Sequence, residues 1–323
     1  MSSLDDMRIF TGSPYPRLAV EICRYLGISP GKALVSRFED GEIRVKVDES
    51  VRGADVFIIQ SGCCTVNDSI MELLIMLDAF RRASARRINV VMPYYPYSRQ
   101  DKKIQPREPV TAKLLANLIT WSGATRILTI DLHAGQIQGF FDVPVDHLYA
   151  GPIMEDYFRN NVALNDDAVV VSPDVGGVPR ARALAEALGT PIAIIAKRRP
   201  EPNRSEVMEV IGDVRDKVAI MIDDMIDTGG SVANGAAILA ERGAKIIYAC
   251  CTHPVFSDDA PRRLQEAPIE KVIVTDTLPI PPSKRIDKLV VLSVAPMLAE
   301  GIRRIHMELS VSELFSDSWV GLS

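Results

Sequence analysis

Residues 218–231 read VAIMIDDMIDTGGS: an apolar run, two adjacent aspartates, a third aspartate, and a Thr-Gly-Gly-Ser turn. An apolar run without polar alternation is expected of a strand buried on both faces. The same pattern recurs outward in both directions. Strand-like runs at 55–60, 88–92, 126–130, 168–171, 192–196, 217–222 and 245–250 alternate with helical patterns at 67–82, 113–121, 180–188 and 232–242. In 67–82 the spacing of Ile70, Leu73, Leu74 and Leu77 is that of one helix face. Buried strands separated by amphipathic helices predict an α/β fold with doubly wound, mainly parallel sheets covered on both faces. In such sheets ligands bind beyond the carboxyl ends of the strands. Segments 127–132 (ILTIDL) and 220–225 (IMIDDM) are each an apolar strand closing on aspartate. The likeness predicts two similar domains, 7–149 and 150–304, followed by a tail from about 305 to 323.

The bulk composition agrees. A chain of 323 residues is long for one core and predicts about two domains. Hydrophobic residues make up 47% and charged residues 24%, as in a globular protein with a sizeable core. The formal net charge of −5 argues against a general nucleic-acid binder. The five cysteines include the adjacent pairs Cys63-Cys64 and Cys250-Cys251 and show no CxxC spacing, so neither a zinc site nor a thioredoxin-like site is expected. Free thiols, a polar start without signal-peptide character, and apolar runs shorter than the roughly 18 residues needed to cross a bilayer predict a cytoplasmic protein with no membrane partner.

The opening stretch also carries chemistry. A strand delivers Asp223 and Asp224 to its end, and Asp227, Thr228, Gly229, Gly230 and Ser231 follow before a helix. Glycines let backbone N–H groups close on an anion, and a helix N-terminus adds partial positive charge. Carboxylates beside that cradle repel phosphate but accept hydrogen bonds from sugar hydroxyls, so a phosphorylated sugar satisfies both. An N-capped helix after a strand is the plain alternative for TGGS alone. No GxxxxGK[ST] pattern occurs, so a nucleotide would not be held in a P-loop.

This segment resembles the phosphoribosyl-pyrophosphate loop shared by type I phosphoribosyltransferases and ribose-phosphate pyrophosphokinases. Segments 94–103 (YYPYSRQDKK), 131–141 (DLHAGQIQGFF), 37–42 (RFEDGE), 172–177 (SPDVGG) and Lys197-Arg198-Arg199 are similar to the pyrophosphokinases in order and spacing. The resemblance runs from about residue 8 to 315 and reaches the phosphate-activated class I type, and through SVSELF at 310–315 it implies that the tail packs back on the first domain. It implies transfer of the β,γ-diphosphoryl group of Mg-ATP to the 1-hydroxyl of ribose 5-phosphate, giving phosphoribosyl pyrophosphate and AMP.

By resemblance, Phe38, Asp40, Gly41 and Glu42 bind adenine from a neighbouring subunit, and Arg99, Gln100 and Asp101 contact ATP. His133 contacts metal-bound phosphates or ligates Mg²⁺, and Asp174 is a second Mg²⁺ partner. Lys197 and Arg199 are the catalytic pair, carried on a polar, mobile loop. Arg199, Asp223, Asp224 and Asp227 to Ser231 hold ribose 5-phosphate. Read locally, FEDGE is a β-turn between two strands and SRQDKK a solvated loop. The resemblance further implies a dimer-based homohexamer with phosphate and ADP as effectors at Ser50, Arg52, Ser84, Arg107, Ser310 and Ser312. Two rivals remain: a phosphoribosyltransferase, which lacks RFEDGE and YSRQDKK, and a non-catalytic associated protein, in which the active-site segments are altered. Departures from the family pattern are QSGCCTVND at 60–68 and His147, where many members have Asn.

Overall fold

The computed structural model of the protein describes residues 4–164, 167–198 and 207–314. The first half runs β1 (Met7–Thr11), α1 (Pro16–Leu26), β2 (Ala33–Arg37), β3 (Ile43–Val47), β4 (Asp55–Ile59), α2 (Val66–Arg82), β5 (Arg87–Met92), α3 (Thr111–Ser122), β6 (Arg126–Ile130) and β7 (Val145–Leu148). The second runs α4 (Gly151–Asn161), β8 (Ala168–Ser172), α5 (Val178–Leu188), β9 (Ile192–Arg198), β10 (Val207–Ile211), β11 (Val218–Ile226), α6 (Gly230–Glu241), β12 (Ile246–Pro254), α7 (Ala260–Glu266), β13 (Lys271–Thr275), β14 (Leu289–Leu292) and α8 (Ala295–His306).

Two large sheets form, as the alternation predicts. The first has order β1-β4-β5-β6-β7 and is parallel throughout. The second has order β10-β9-β8-β11-β12-β13-β14 and is parallel except for the antiparallel edge strand β10. Strand order reverses between β8 and β11, which pair directly. Helix α5, used on the way out to β9, packs on one face, with Ala181 and Leu184 against Val170 and Ile220. Helices α6 and α7, used on the way back, cover the other face, with Leu239 and Leu264 against Val171 and Met221. Right-handed crossovers require this change of face when the direction of travel reverses.

The first sheet is covered differently. Leu73, Met76 and Phe80 of α2, with Leu115 of α3, bury Phe10, Val56, Ile58 and Val90. On the other face Ile9, Phe57, Val91 and Leu128 pack under Leu18 and Ile22 of α1 and under Leu298 and Ile302 of α8. The chain therefore returns to the first sheet from Val294 onward, ahead of the expected start of the tail at 305. Each fully buried Leu or Ile contributes about 1.5–3 kcal/mol. Helix α8 is thus a structural part of the first half. Among the described residues no helix is long and apolar enough to cross a membrane.

Candidate active site

The aspartate pair lies inside a strand. The expected strand ended at 222, whereas β11 continues through Asp223 and Asp224 to Ile226, with Asp223 in register with Cys251 of β12. Side chains alternate along a strand, so adjacent aspartates diverge. Asp224 is buried and Asp223 half-buried. The next residues turn sharply: Gly229 sits at φ +73°, a left-handed conformation that glycine adopts freely, and α6 starts at Gly230. The helix N-terminus therefore opens beside the carboxylates.

Partners for these carboxylates come from both halves. Asp224 Oδ2 lies 2.8 Å from Nδ1 of His133, which follows β6 of the first sheet. Arg180, in the first turn of α5, places Nη1 3.8 Å from both Asp223 and Asp224. A second bridge joins Arg99, after β5, to Asp227. Behind them, Asp131 at the end of β6 accepts hydrogen bonds from Thr252 Oγ1 (2.6 Å) and from the Ala150 amide (3.0 Å). Ser61 donates to the Thr277 carbonyl at 2.7 Å. The carboxyl ends of the two sheets thus face each other across one seam.

This geometry splits the pair electrostatically. Burial, then the neighbouring Asp224 charge, pushes Asp223 up to about 8. Burial would raise Asp224 as well, but the hydrogen bond with His133 and the charge of Arg180 outweigh it and hold the group well below the carboxylate range. His133 is correspondingly raised by Asp224. For Asp227, burial is outweighed by hydrogen bonds from Ser257 and Arg99, and the carboxylate is lowered. Its Oδ1 is buried without a hydrogen-bond partner among the described residues. One carboxylate held ionised and one near neutrality suit hydroxyls, which both donate and accept.

Two cavities flank the seam. One of about 260 Å³ is lined by Asp131, His133, His147, Tyr149 and Arg180. The other, of about 580 Å³, is lined by Tyr94, Tyr97, Arg99, Gln100, Ser257 and Lys284. Gln100 is held by Thr111, whose hydroxyl donates to Oε1 at 2.6 Å. Asp101 follows at the loop surface and is half-buried. Asp174, in the loop between β8 and α5, is exposed and accepts the Gly177 amide at Oδ1 (2.8 Å).

The remaining candidates lie apart. Phe38 is 50% exposed at the tip of the β2–β3 hairpin, with Arg44 5.7 Å from its ring centroid. Gly41 takes φ +93°, and Asp40 Oδ1 accepts the Glu42 amide at 3.1 Å. Among the described residues no hydrogen bond or ion pair joins this tip to His133, Asp223 or Asp224. The suggested effector residues fall into separate local groups. The Gly53 amide, after Ser50 and Arg52, donates to the Ser84 carbonyl at 2.9 Å. Ser310 and Ser312 place their hydroxyls 2.8 Å apart, and Arg107 sits on its own loop at φ +72°. The Lys197 backbone pairs with Met208 across β9 and β10. Arg199 and the expected loop to 206, like the tail from 315, lie outside the described residues.

Arg180 was not singled out from the sequence, although a signal exists. An arginine in the first turn of a helix opposes the helix dipole unless carboxylates face it. Asp131, Thr252 and His253 were missed as well. They act in concert, with His253 Nε2 3.0 Å from the Asp131 carbonyl, but lie too far apart in sequence to be paired by inspection.

Two parallel α/β sheets, joined at their carboxyl ends around a strand-borne aspartate pair and a Gly-Gly helix start, define a double-domain protein of the type I phosphoribosyltransferase kind. Comparison with known proteins narrows the class. Residues 7–123 match the N-terminal domain of ribose phosphate pyrophosphokinase, and 197–316 the phosphoribosyl synthetase-associated domain. A ribose-phosphate pyrophosphokinase of Clostridium acetobutylicum is 56% identical over 97% of this chain and 98% of its own. One from Bacillus caldolyticus is 55% identical over 96% and 98%. The crystal structure of phosphoribosylpyrophosphate synthetase from Mycobacterium smegmatis superposes with a TM-score of 0.90 at 46% identity, covering 94% of this chain and 99% of that one. The chain belongs to the ribose-phosphate pyrophosphokinase family and is a transferase of nucleotide biosynthesis.

Proposed function

We propose that the protein transfers the β,γ-diphosphoryl group of Mg-ATP to the 1-hydroxyl of ribose 5-phosphate in the cytoplasm, releasing AMP and phosphoribosyl pyrophosphate. The observation that carries this reading is the convergence of both halves on the aspartate pair: His133 on Asp224, and Arg99 on Asp227. On this reading the ribose hydroxyls meet the carboxylates of Asp223, Asp224 and Asp227. The 5-phosphate lies over Thr228 to Ser231 at the start of α6. The nucleotide occupies the cavity bearing Arg99 and Gln100, with Asp101 at its edge. The exposed hairpin tip at Phe38, Asp40, Gly41 and Glu42 fits an adenine contact made in a neighbouring subunit of a homo-oligomer.

The donor set suits Mg²⁺ that arrives with ATP. Among the described residues no three His, Cys, Asp or Glu side chains are grouped to hold a metal. Asp174 keeps one carboxylate oxygen beyond the one bonded to Gly177. Mg²⁺ prefers few protein oxygens and keeps phosphate oxygens and waters. Bound there, it neutralises charge on the transferring group. His133 has Nδ1 committed to Asp224 and is biased toward the protonated form. With Nδ1 turned to Asp224, Nε2 is the ring atom left to meet a metal-bound phosphate oxygen or the Mg²⁺ itself.

Transfer of this kind depends on alignment and charge neutralisation. Lys197 and Arg199 supply positive charge at the transferring group, and Asp224, locked by His133 and Arg180, fixes the sugar. The phosphate and ADP response at Ser50, Arg52, Ser84, Arg107, Ser310 and Ser312 belongs to the same proposal, as do the hexamer and the domain division at 150. The test is AMP release from ATP, with and without ribose 5-phosphate and Mg²⁺, in the protein and in Lys197→Ala. Release that needs both and collapses in the variant supports the reading. A folded protein that releases no AMP under any of these conditions contradicts it.

A further inference from the structure

The chain holds two pairs of adjacent cysteines, and the fold treats them oppositely. Cys250 and Cys251 lie within β12, where successive side chains point to opposite faces. Cys250 packs with Leu184 under α5, and Cys251 with Leu239 under α6, so their sulphurs are kept apart by the sheet. Cys63 and Cys64 lie between β4 and α2, outside any regular element. Cys64 takes φ +61°, a left-handed conformation that costs a non-glycine residue about 1–2 kcal/mol. That turn cancels the alternation and brings the two Sγ atoms to 3.7 Å.

The two thiols differ in access. Cys64 is exposed, whereas Cys63 is buried against Tyr94, Met225 and Leu278 in the seam between the halves. An oxidant arriving from solvent therefore meets Cys64 first. The other three cysteines, Cys23, Cys250 and Cys251, are all buried.

We propose that Cys63 and Cys64 form a dithiol modification site, at which a hydroperoxide closes a disulfide between the two adjacent residues and suppresses the transfer reaction. In the first step the Cys64 sulphur takes the distal oxygen of the hydroperoxide, giving Cys64 sulfenic acid and an alcohol, or water when the oxidant is hydrogen peroxide. In the second, Cys63 sulphur attacks Cys64 sulphur. The S–O bond breaks, the S–S bond forms, and water leaves with the Cys63 proton. Two thiols are oxidised by two electrons and one peroxide bond is reduced. Consecutive Cα atoms are about 3.8 Å apart, below the span that disulfides prefer, so the bond is strained and easily reduced again.

Closure draws Cys63 toward Cys64 and away from Met225, which stands between Asp224 and Asp227 in the chain. The strand end that carries the carboxylates loses a packing partner in the layer beneath it. This consequence rests on the proposed function; formation of the disulfide does not.

The full-length protein is treated with hydrogen peroxide, alkylated, digested and analysed by mass spectrometry, with AMP release assayed in parallel. The expected result is a peptide bearing Cys63 and Cys64 that lacks two hydrogens and resists alkylation, and a loss of activity of about ten-fold. Dithiothreitol restores both. Cys64→Ser, compared with its own untreated sample, forms no such peptide and keeps its activity through the treatment. Two alkylated thiols at 63 and 64 after treatment overturn the site. A closed disulfide with unchanged activity overturns the coupling. An untreated protein that releases no AMP strikes down the assigned reaction and the coupling together, while the mass measurement still decides the disulfide.

Discussion

The two sheets solve the same folding problem with different resources. The second reverses its strand order at β8 and β11 and covers both faces with its own helices, α4 and α5 on one side and α6 and α7 on the other. The first runs β1-β4-β5-β6-β7 without reversal and completes one face with α8, drawn from the far end of the chain. A reversal leaves a crevice at the carboxyl ends of two adjacent strands where a ligand can sit. Asp174 follows one of those strands, and Asp223 and Asp224 lie near the end of the other, which closes at Ile226. The sheet without a reversal contributes side chains from its loops, His133 and Arg99, that reach over to the carboxylates. The carboxylates come from one half, and the charges that meet them come from both, His133 and Arg99 from the first and Arg180 from the second.

The sharpest way to break this division is at the contact between the halves. Asp224→Asn removes the carboxylate that His133 and Arg180 share. Turnover should fall by about 10²–10³-fold, as when a preorganised polar contact at a reacting centre is lost. In the same variant the His133 imidazole, followed by NMR, should titrate lower, back toward its ordinary value. A His133 titration that does not move would show that the contact is incidental.

The dependence of the first sheet on α8 is tested by Leu298→Ala. Leu298 is fully buried against the first sheet, and such truncations cost about 3–5 kcal/mol. Chemical denaturation with hydrogen-exchange readout should show protection lost in β1, β4 and β5 before β11 and β12. Uniform loss across both sheets would mean that the halves are not separable in this way.

A smaller effect is expected at the second bridge. Arg99→Lys keeps the charge but loses the planar guanidinium that meets Asp227, and the two residues are not interchangeable at such a site. The apparent ATP requirement should rise by about ten-fold with a smaller change for ribose 5-phosphate, as measured by steady-state kinetics. The reverse pattern would move the nucleotide out of the cavity beside Arg99.

The smallest effect concerns pH. His147 accepts the Leu132 amide at Nε2 (2.9 Å), and burial, the dominant cause, holds it down to about 4. Below its unfolded value of about 6.5 the unfolded chain binds a proton that the folded state refuses. This contribution to stability is therefore whole above about pH 6.5 and drains as pH falls toward 4. His147→Asn retains an acceptor without the titration, so its urea midpoint should fall less between neutrality and pH about 5. Parallel pH curves for the two proteins would remove His147 from the account.

Much of this was legible in the chain. Continuous apolar runs located β4, β5 and β6 of the first sheet and β8, β9, β11 and β12 of the second. The Asp-Asp and Gly-Gly spacing marked the end of β11 and the start of α6, because each is a local pattern with a local physical cause. The edge strands β1, β7, β10 and β14, and β13 beside one edge, were not read. Strand β11 runs past the expected end at 222, with Asp224 buried against His133 and Arg180 and not turned to solvent, which hydropathy alone does not reveal. Arg180 and the Asp131–Thr252 bond depend on segments brought together only by the fold. Helix α8 was not read from the sequence, and nothing in its own residues states which sheet its apolar face covers. The left-handed turn at Cys64 was equally silent, since two adjacent cysteines carry no local signal of the backbone conformation they take.

The central claim is that the crevice presents the sugar hydroxyl to the β-phosphorus of ATP, and phosphorus NMR of the full reaction mixture tests it most directly. With ATP, Mg²⁺ and ribose 5-phosphate, the account predicts resonances of AMP and of a diphosphate ester on the sugar, growing together. Resonances of ADP and a sugar bisphosphate would place the attack at the γ-phosphorus and contradict the account.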